Sequence, residues 1–390
     1  MKLKILTLKV LTTFRVSLLF CTLTFILLSG CSTYKAFNTV FNENWDNEFP
    51  NKGGTPRLKY YEGIPVIHLY GGPQEMGRQY GSILQKQLNA LAYISEKFFP
   101  EKTLNSYFEK ATKLKEQLPP ETVAFITGMA ENSGVEYLKL LALNTVPKAT
   151  CSVLAVWGDA TNDGQLLMGR NADYNFKKIN KALGLTVVKH PHHGYATVAS
   201  SFLGLAGTFT GINEKGVCYG NMLVYNGFED EDKFDGLPVQ LAMQYAAEKA
   251  GSADEMIKIL TEQQHLVPVN VMCADSTEAL LAELGQQNFA IRKGSKGVLA
   301  ASNYFYSPGM FEETVTDKRF SQLMLEARDN YGTFNFGNLK KAMHAARKPR
   351  ENLQCILFEP AKMQIHVSMN RVPATKGPFI PLDVKKLLSE

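Results

Sequence analysis

At Cys151 the spacing of apolar residues changes period, and few folds fit both halves of that pattern. Upstream, Met76, Tyr80, Ile83, Leu84, Leu88, Leu91 and Ile94 recur at three- and four-residue steps, the repeat of one helix face. That spacing predicts a helix over 74–97. Helix formers continue over 103–145, with breaks at Pro119-Pro120 and near Gly134. Downstream the apolar runs shorten and are bounded by turn residues. Ser152–Trp157 and Gln165–Met168 flank Asn162-Asp163-Gly164, whose Asp-Gly step is a hairpin signal. Leu185–Lys189 pairs in the same way with Tyr195–Ser200, and Gly207–Ile212 with Gly216–Asn221. Amphipathic helices are expected at 237–250 and 253–263. Strands are then expected at Val267–Cys273, Ala279–Leu284, Phe289–Arg292 and Gly297–Ala301, helices at 317–329 and 337–346, and strands at Gln354–Phe358 and Met363–Val367. Hairpins, helices and hairpins again imply an α+β fold of antiparallel sheets covered by helices.

The N-terminus reads as an address. Lys2, Lys4, Lys9 and Arg15 stand among residues 1–30 with no acidic residue, and the apolar stretch Val16–Leu28 follows. That stretch is short for a bilayer span and suits a signal-peptide core. It ends in Leu28-Ser29-Gly30-Cys31, which resembles the bacterial lipobox. This implies removal of 1–30 and lipidation of Cys31, each buried methylene contributing about 0.8 kcal/mol to anchoring. Ser32, in place of Asp, favours an outer-membrane location. Residues 31–58 read as a tether. The formal charge of the whole chain is +5, and the address carries four of those charges. The rest is close to neutral, so charge gives no reason to expect a nucleic-acid partner.

Most chemical motifs are absent. There is no Gly-x-Ser-x-Gly elbow, no His-Glu-x-x-His, no phosphate-binding loop and no Gly-x-Gly-x-x-Gly, and no cofactor or metal is expected. His190, His192 and His193 sit in a Pro/Gly hairpin and read as a solvated turn. Cys218, Cys273 and Cys355 lie in apolar strands and read as inert thiols. Gly71, Gly72, Gly77 and Gly81 read as a loop leading into a helix. Cys151 differs, because it begins the first strand after the change of period. Arg170 and Asp173 follow it at the end of an otherwise apolar strand. In a strand, i and i+3 face opposite sides, so serving one site requires the chain to turn there. By spacing alone, a buried Cys with a surface Arg–Asp pair and a nucleophile with its partners both remain open.

Taken in order, these residues resemble the N-terminal-nucleophile (Ntn) hydrolases that cleave linear amides: choloylglycine hydrolase, penicillin V acylase, acid ceramidase and isopenicillin N acyltransferase. The family pattern is a Cys, an Arg-x-x-Asp one hairpin later, two Asn and a second Arg. The matching positions are Cys151, Arg170, Asp173, Asn221, Asn303 and Arg319. Pro65–Gly81 looks most like the acyltransferase branch. The resemblance implies a four-layer αββα fold, with a helical propiece at 59–150 and a catalytic domain at 151–390. It implies self-cleavage between Thr150 and Cys151, Thr150 standing where the acyltransferase relatives carry Gly or Asp. The freed α-amine of Cys151 then serves as base for its own thiol, so no His is needed. In this scheme Arg170 lowers the thiol pKa and Asp173 accepts a hydrogen bond from the Cys151 amine. Asn221 and Asn303 supply an oxyanion hole, one donor being worth about 3 kcal/mol. Arg319 holds Asp173 or a substrate carboxylate. Tyr174, Phe176, Leu223 and Tyr225 line an acyl pocket or pack as ordinary core.

The expected function is that of an amide hydrolase or acyltransferase acting on small N-acyl compounds. Its propiece and catalytic body form a heterodimer that meets substrate outside the cytoplasm. The alternatives are a phospholipase or esterase of related fold and a catalytically inactive solute-binding lipoprotein.

Overall fold

The fold follows from which strands carry apolar residues on both faces and which on one. It is described by a computed structural model covering residues 54–98, 101–145, 150–174, 183–228 and 235–390. The signal segment 1–30, the lipidation position Cys31, most of the tether and Phe176 lie outside the described residues. The chain begins with β1 (Arg57–Tyr61) and β2 (Ile64–Gly71), then α1 (Pro73–Ile83), α2 (Gln85–Phe98), α3 (Glu101–Lys115), α4 (Pro120–Ser133) and α5 (Tyr137–Leu143). Six strands follow: β3 (Thr150–Gly158), β4 (Gly164–Asp173), β5 (Gly184–Pro191), β6 (Thr197–Phe202), β7 (Thr210–Asn213) and β8 (Cys218–Leu223). After α6 (Val239–Ala247) and α7 (Ala253–Thr261) come β9 (Val269–Ala274), β10 (Ala279–Leu284), β11 (Phe289–Lys293) and β12 (Val298–Ala301). The chain closes with α8 (Lys318–Asp329), α9 (Phe336–Ala346), β13 (Asn352–Glu359), β14 (Gln364–Met369), β15 (Ile380–Asp383) and α10 (Val384–Ser389).

The strands form two sheets. One has nine strands in the order β1-β2-β5-β6-β7-β8-β9-β10-β11, and the other six in the order β12-β3-β4-β13-β14-β15. The sheets stack through a shared core that includes Val153, Met168, Val198, Cys218, Met272 and Ile356. Helices α1–α5 cover the outer face of the nine-stranded sheet at β2 and β5. Helices α6 and α7 cover the same face at β8–β10. Helices α8 and α9 cover the outer face of the six-stranded sheet. The result is the four-layer αββα arrangement. Strands such as β9 and β10 are buried on both faces, so their sequences are nearly continuous apolar runs, each interrupted by one buried polar residue, Asn270 and Glu283.

Three expectations need correction. First, the region ahead of Cys151 is not wholly helical, because β1 and β2 precede the helices, and Arg57 and Leu58 belong to β1 and not to a tether. β2 lies parallel to β5, the one parallel pair among the described strands, and a parallel pair needs a long crossover. Here the crossover contains α1–α5 and the β3–β4 hairpin. Second, the helix expected over 74–97 is two helices that part at Leu84. Third, the glycines of α1 do more than open a helix. A Cβ at Gly77 would sit 2.1 Å from Phe125 O, and one at Gly81 would sit 2.6 Å from Met129 O. Helices α1 and α4 therefore pack backbone against backbone. Strand β15 and helix α10 were not anticipated. Among the described residues, no helix is long and apolar enough to cross a membrane.

Candidate active site

The β3–β4 hairpin sits in the middle of the six-stranded sheet, and its alternation sorts the chemistry. Cys151, Val153 and Ala155 on β3 face the core between the sheets, as do Leu166, Met168 and Ala172 on β4. Register places Cys151 opposite Ala172 and Val153 opposite Arg170, so Arg170 is a diagonal neighbour of Cys151 on the same face. Its Nη2 donates to Cys151 Sγ at 3.2 Å and to Asn221 Oδ1 at 3.3 Å, while Nε donates to Asn221 O at 3.0 Å. Arg170 is 1% exposed. Among the described residues no carboxylate comes within 4.0 Å of it, and its Nη1 has no hydrogen-bond acceptor. Gly220 on the facing strand β8 makes room for this side chain, because a Cβ there would lie 2.6 Å from Arg170 Cδ.

A second set of groups holds the backbone of Cys151. Its N–H donates to Asn303 Oδ1 at 2.9 Å. Arg319, in the first turn of α8, donates from Nη1 to Cys151 O at 3.0 Å and from Nη2 to Asn303 Oδ1 at 2.6 Å. Asp317 caps that helix by accepting from the Arg319 N–H. The amide of Asn303 donates to Leu223 O, so its oxygen, and not its amide, faces Cys151. This differs from the oxyanion role expected for Asn303.

Asp173 also differs from expectation. The chain does not turn between Arg170 and Asp173; β4 continues through both, and strand alternation sends Asp173 to the other side. Arg319 joins the two sides, its Nη1 lying 3.7 Å from Asp173 Oδ2. Asp173 Oδ1 accepts from Asn352 Nδ2 at 2.9 Å. The Cys151 N–H is thus given to Asn303 and not to Asp173. Burial raises the Asp173 carboxyl from 3.8 to about 6, against the pull of Asn352 and Arg319. Burial likewise pushes the Cys151 thiol up, and the opposing attraction of Arg170 is the smaller effect.

The structure therefore joins Cys151, Arg170, Asp173, Asn221, Asn303 and Arg319 in one connected cluster. Thr150 is half-buried, with its hydroxyl on Asp173 O. Asn352 and Gly220 belong to the cluster and were not picked out from sequence. Asn352 carries no local signal; Gly220 stands directly before Asn221, which was a signal available to use. Of the proposed acyl-pocket residues, Tyr174 is buried edge-on against Phe202, and Leu223 is buried at the end of β8. Tyr225 is 49% exposed, with its N–H on Asn303 O. His190 stacks on Tyr70 with ring centroids 4.3 Å apart, whereas His192 and His193 are exposed. Among the described residues no group of His, Cys, Asp and Glu could hold a metal ion.

Known proteins can be set against this geometry. Protein dcd1B of Dictyostelium discoideum is 28% identical over 195 residues, covering 42% of this chain and 39% of that protein. Protein dcd1A of the same organism is 25% identical over 233 residues, covering 50% and 52%. The chain thus spans about half or less of the length of these relatives. A Caenorhabditis elegans N-acylethanolamine-hydrolyzing acid amidase ortholog superposes with a TM-score of 0.44 at 14% identity, over 54% of this chain and 93% of that one. Penicillin V acylase from Agrobacterium tumefaciens gives 0.40 at 14% identity, over 56% and 83%. The sequence profile of one family matches residues 160–368. That span starts just after Cys151, takes in Arg170, Asp173, Asn221, Asn303 and Arg319, and covers more than half the chain. On that match the chain belongs to the acyl-coenzyme A:6-aminopenicillanic acid acyl-transferase family.

Proposed function

We propose that the chain is an Ntn-type amide hydrolase or acyl transferase whose nucleophile is Cys151, freed by cleavage of the Thr150–Cys151 bond. One observation carries this reading. The Cys151 thiol lies against a buried guanidinium that has no carboxylate of its own, while the Cys151 nitrogen rests on the Asn303 oxygen. A nucleophile paired with a separate base would show an imidazole bonded to the sulfur, and among the described residues none is. The hydrogen bond from the Cys151 N–H to Asn303 Oδ1 supports a freed amine being held at the same position.

Two stages follow. In the first, Cys151 Sγ attacks the Thr150 carbonyl carbon, and the C–N bond breaks to leave a thioester and a free α-amine. Water then hydrolyses the thioester, leaving a Thr150 carboxylate and the Cys151 thiol. Cys151 is 1% exposed while the upstream segment is attached, so an external amide needs this opening. In the second stage the amine takes the thiol proton and the thiolate, favoured by Arg170, attacks the substrate carbonyl. The Asn221 amide stabilises the oxyanion, and the departing amine collects the proton from the Cys151 ammonium. Water or a second amine then attacks the thioester, with the Cys151 amine as base. Asn303 and Arg319 keep that amine in place, and Asp173 balances Arg319.

The proposal extends to the cell envelope. Residues 1–30 are removed, Cys31 carries the lipid, and the segment up to Thr150 stays on as a smaller subunit. Its retention is supported by β2 pairing with β5 and by the core that α1–α5 share with the nine-stranded sheet. The substrate is a small N-acyl amide met outside the cytoplasm.

The test is a denaturing gel with intact-mass analysis. Wild type runs as two fragments and gains an acyl adduct on the Cys151 fragment when given N-acyl amides, while Cys151→Ala runs as one chain without adduct. A single intact wild-type chain with full activity overturns the reading.

A further inference from the structure

The outer face of the nine-stranded sheet carries a pocket of about 280 Å³, set between the starts of α1 and α4, helix α6 and the β5–β6 hairpin. Met76, Phe125 and Leu241 give it apolar walls, and Lys189 lies among its lining residues. Lys189 is 6% exposed. Its Nζ donates to Ala206 O at 3.0 Å and stands 4.2 Å from the Phe125 ring centroid. An ammonium has three donors, and these two contacts leave one over. Among the described residues no carboxylate lies within 4.0 Å of Nζ. Glu248, the acid whose charge Lys189 feels, is held by Gln244 Nε2 at 2.7 Å. A buried cation with no counter-ion in contact is unfavourable, and burial holds this ammonium below its ordinary range. Glu121 and Glu248 also line the pocket, and burial raises the Glu248 carboxyl towards its neutral form.

We propose that this pocket binds a small organic carboxylate with an apolar body, its carboxylate on Lys189 Nζ and its chain along Met76, Phe125 and Leu241. The volume is near the lower end of ligand pockets, about 300–1,000 Å³, which suits a medium-length acid and not a long lipid chain. The site is separate from Cys151. Along β5, Val187 points to the helices and Val188 to the core between the sheets, so Lys189 follows Val187 to the face away from Cys151. Its walls come from both sides of the Thr150–Cys151 bond: Met76 and Phe125 precede it, and Lys189 and Leu241 follow. The inference rests on the pocket and not on any reaction at Cys151.

The experiment is isothermal titration calorimetry on the full chain, as wild type and as Cys151→Ala, with hexanoate, hexanol and hexylamine as probes. Both proteins bind hexanoate saturably with the same affinity, and hexanol and hexylamine bind at least about tenfold more weakly. Lys189→Met weakens hexanoate by about tenfold or more, with the melting temperature and circular dichroism retained. Thr122→Trp keeps Lys189 and adds bulk at a residue lining the pocket, and it has the same effect. The proposal is overturned by equal binding of hexanoate and hexanol, by unchanged affinity in either variant, or by loss of binding in Cys151→Ala. Failure to saturate by about 10 mM overturns it as well.

Discussion

Cys151 and Cys218 sit in the same core between the sheets, one on each sheet, and both are fully buried. Their neighbours differ. Cys218 Sγ lies 3.9 Å from the sulfur of Met168, and burial pushes its thiol far up with no cation to oppose it. Cys151 Sγ lies 3.2 Å from a guanidinium that is itself buried and, among the described residues, has no carboxylate within 4.0 Å. At that distance a thiolate–guanidinium attraction is on the order of 5 kcal/mol at an effective dielectric constant of 20. Burial therefore disfavours the thiolate at both cysteines, and of the two only Cys151 has a cation beside it that opposes this.

The comparison breaks first if the two cysteines behave alike. Cys151→Ala is expected to abolish chain cleavage and to lower acyl transfer on the order of 10⁴-fold or more. Cys218→Ala keeps two fragments and full activity and loses about 1 kcal/mol of stability. A gel, an amidase assay and a denaturant melt on both variants check this. Arg170→Leu comes next. Removing the cation should lower kcat/KM by about 10²-fold or more and move the alkylation of Cys151 to higher pH, while alkylation of Cys218 is unchanged. An unmoved alkylation profile would separate Arg170 from the thiol.

Asp173 sharpens the comparison through pH. Its folded carboxyl is raised from 3.8 to about 6, so the protonated form is the one that folding favours. That stabilisation is complete below the ordinary carboxylate pKa and is lost as pH rises through about 6. The Asp173 contribution should therefore fall across pH 4–6 by on the order of 2–3 kcal/mol. It is read as the difference between wild type and Asp173→Asn, because buried neutral His68 and His190 titrate in the same window with the opposite sign. Denaturant midpoints of both proteins at several pH values read it, and a wild-type minus Asp173→Asn difference that does not fall across the window contradicts it. The smallest effect is at Gly220. Gly220→Ala crowds the Arg170 stem and should cost about 1–2 kcal/mol, seen as a lower melting temperature together with slower cleavage.

Much of the fold is legible because its signals are local. The hairpin runs after Cys151 become β3–β8 with ends moved by a few residues, and Ala279–Leu284 is β10 as expected. The breaks at Pro119-Pro120 and Gly134 bound α4, whose C-cap Gly134 takes φ 75°, a conformation glycine adopts at little cost. The misses have one physical cause. β1 is a short strand whose Arg57 reads as tether and whose Lys59 reads as the start of the helical propiece, yet both pair with Glu390. Long-range pairing of that kind leaves no periodic trace. The parting of α1 from α2 at Leu84 is hidden for a related reason, since the heptad-like spacing runs on through it.

The site divides in the same way. By itself the sequence determined where helical texture ends, that Cys151 opens the first strand beyond it, and that Arg170 follows on the partner strand. These are matters of local spacing, and register on a hairpin brings the two side chains onto one face. Only the tertiary structure decided that Asn303 and Arg319, 152 and 168 residues beyond Cys151, meet it. It also decided that Asp173 faces away and is recovered through Arg319, and that Gly220 leaves the space Arg170 fills. Those outcomes depend on how two sheets stack and how α8 docks, and stacking is set by summed side-chain packing that no stretch of sequence carries alone.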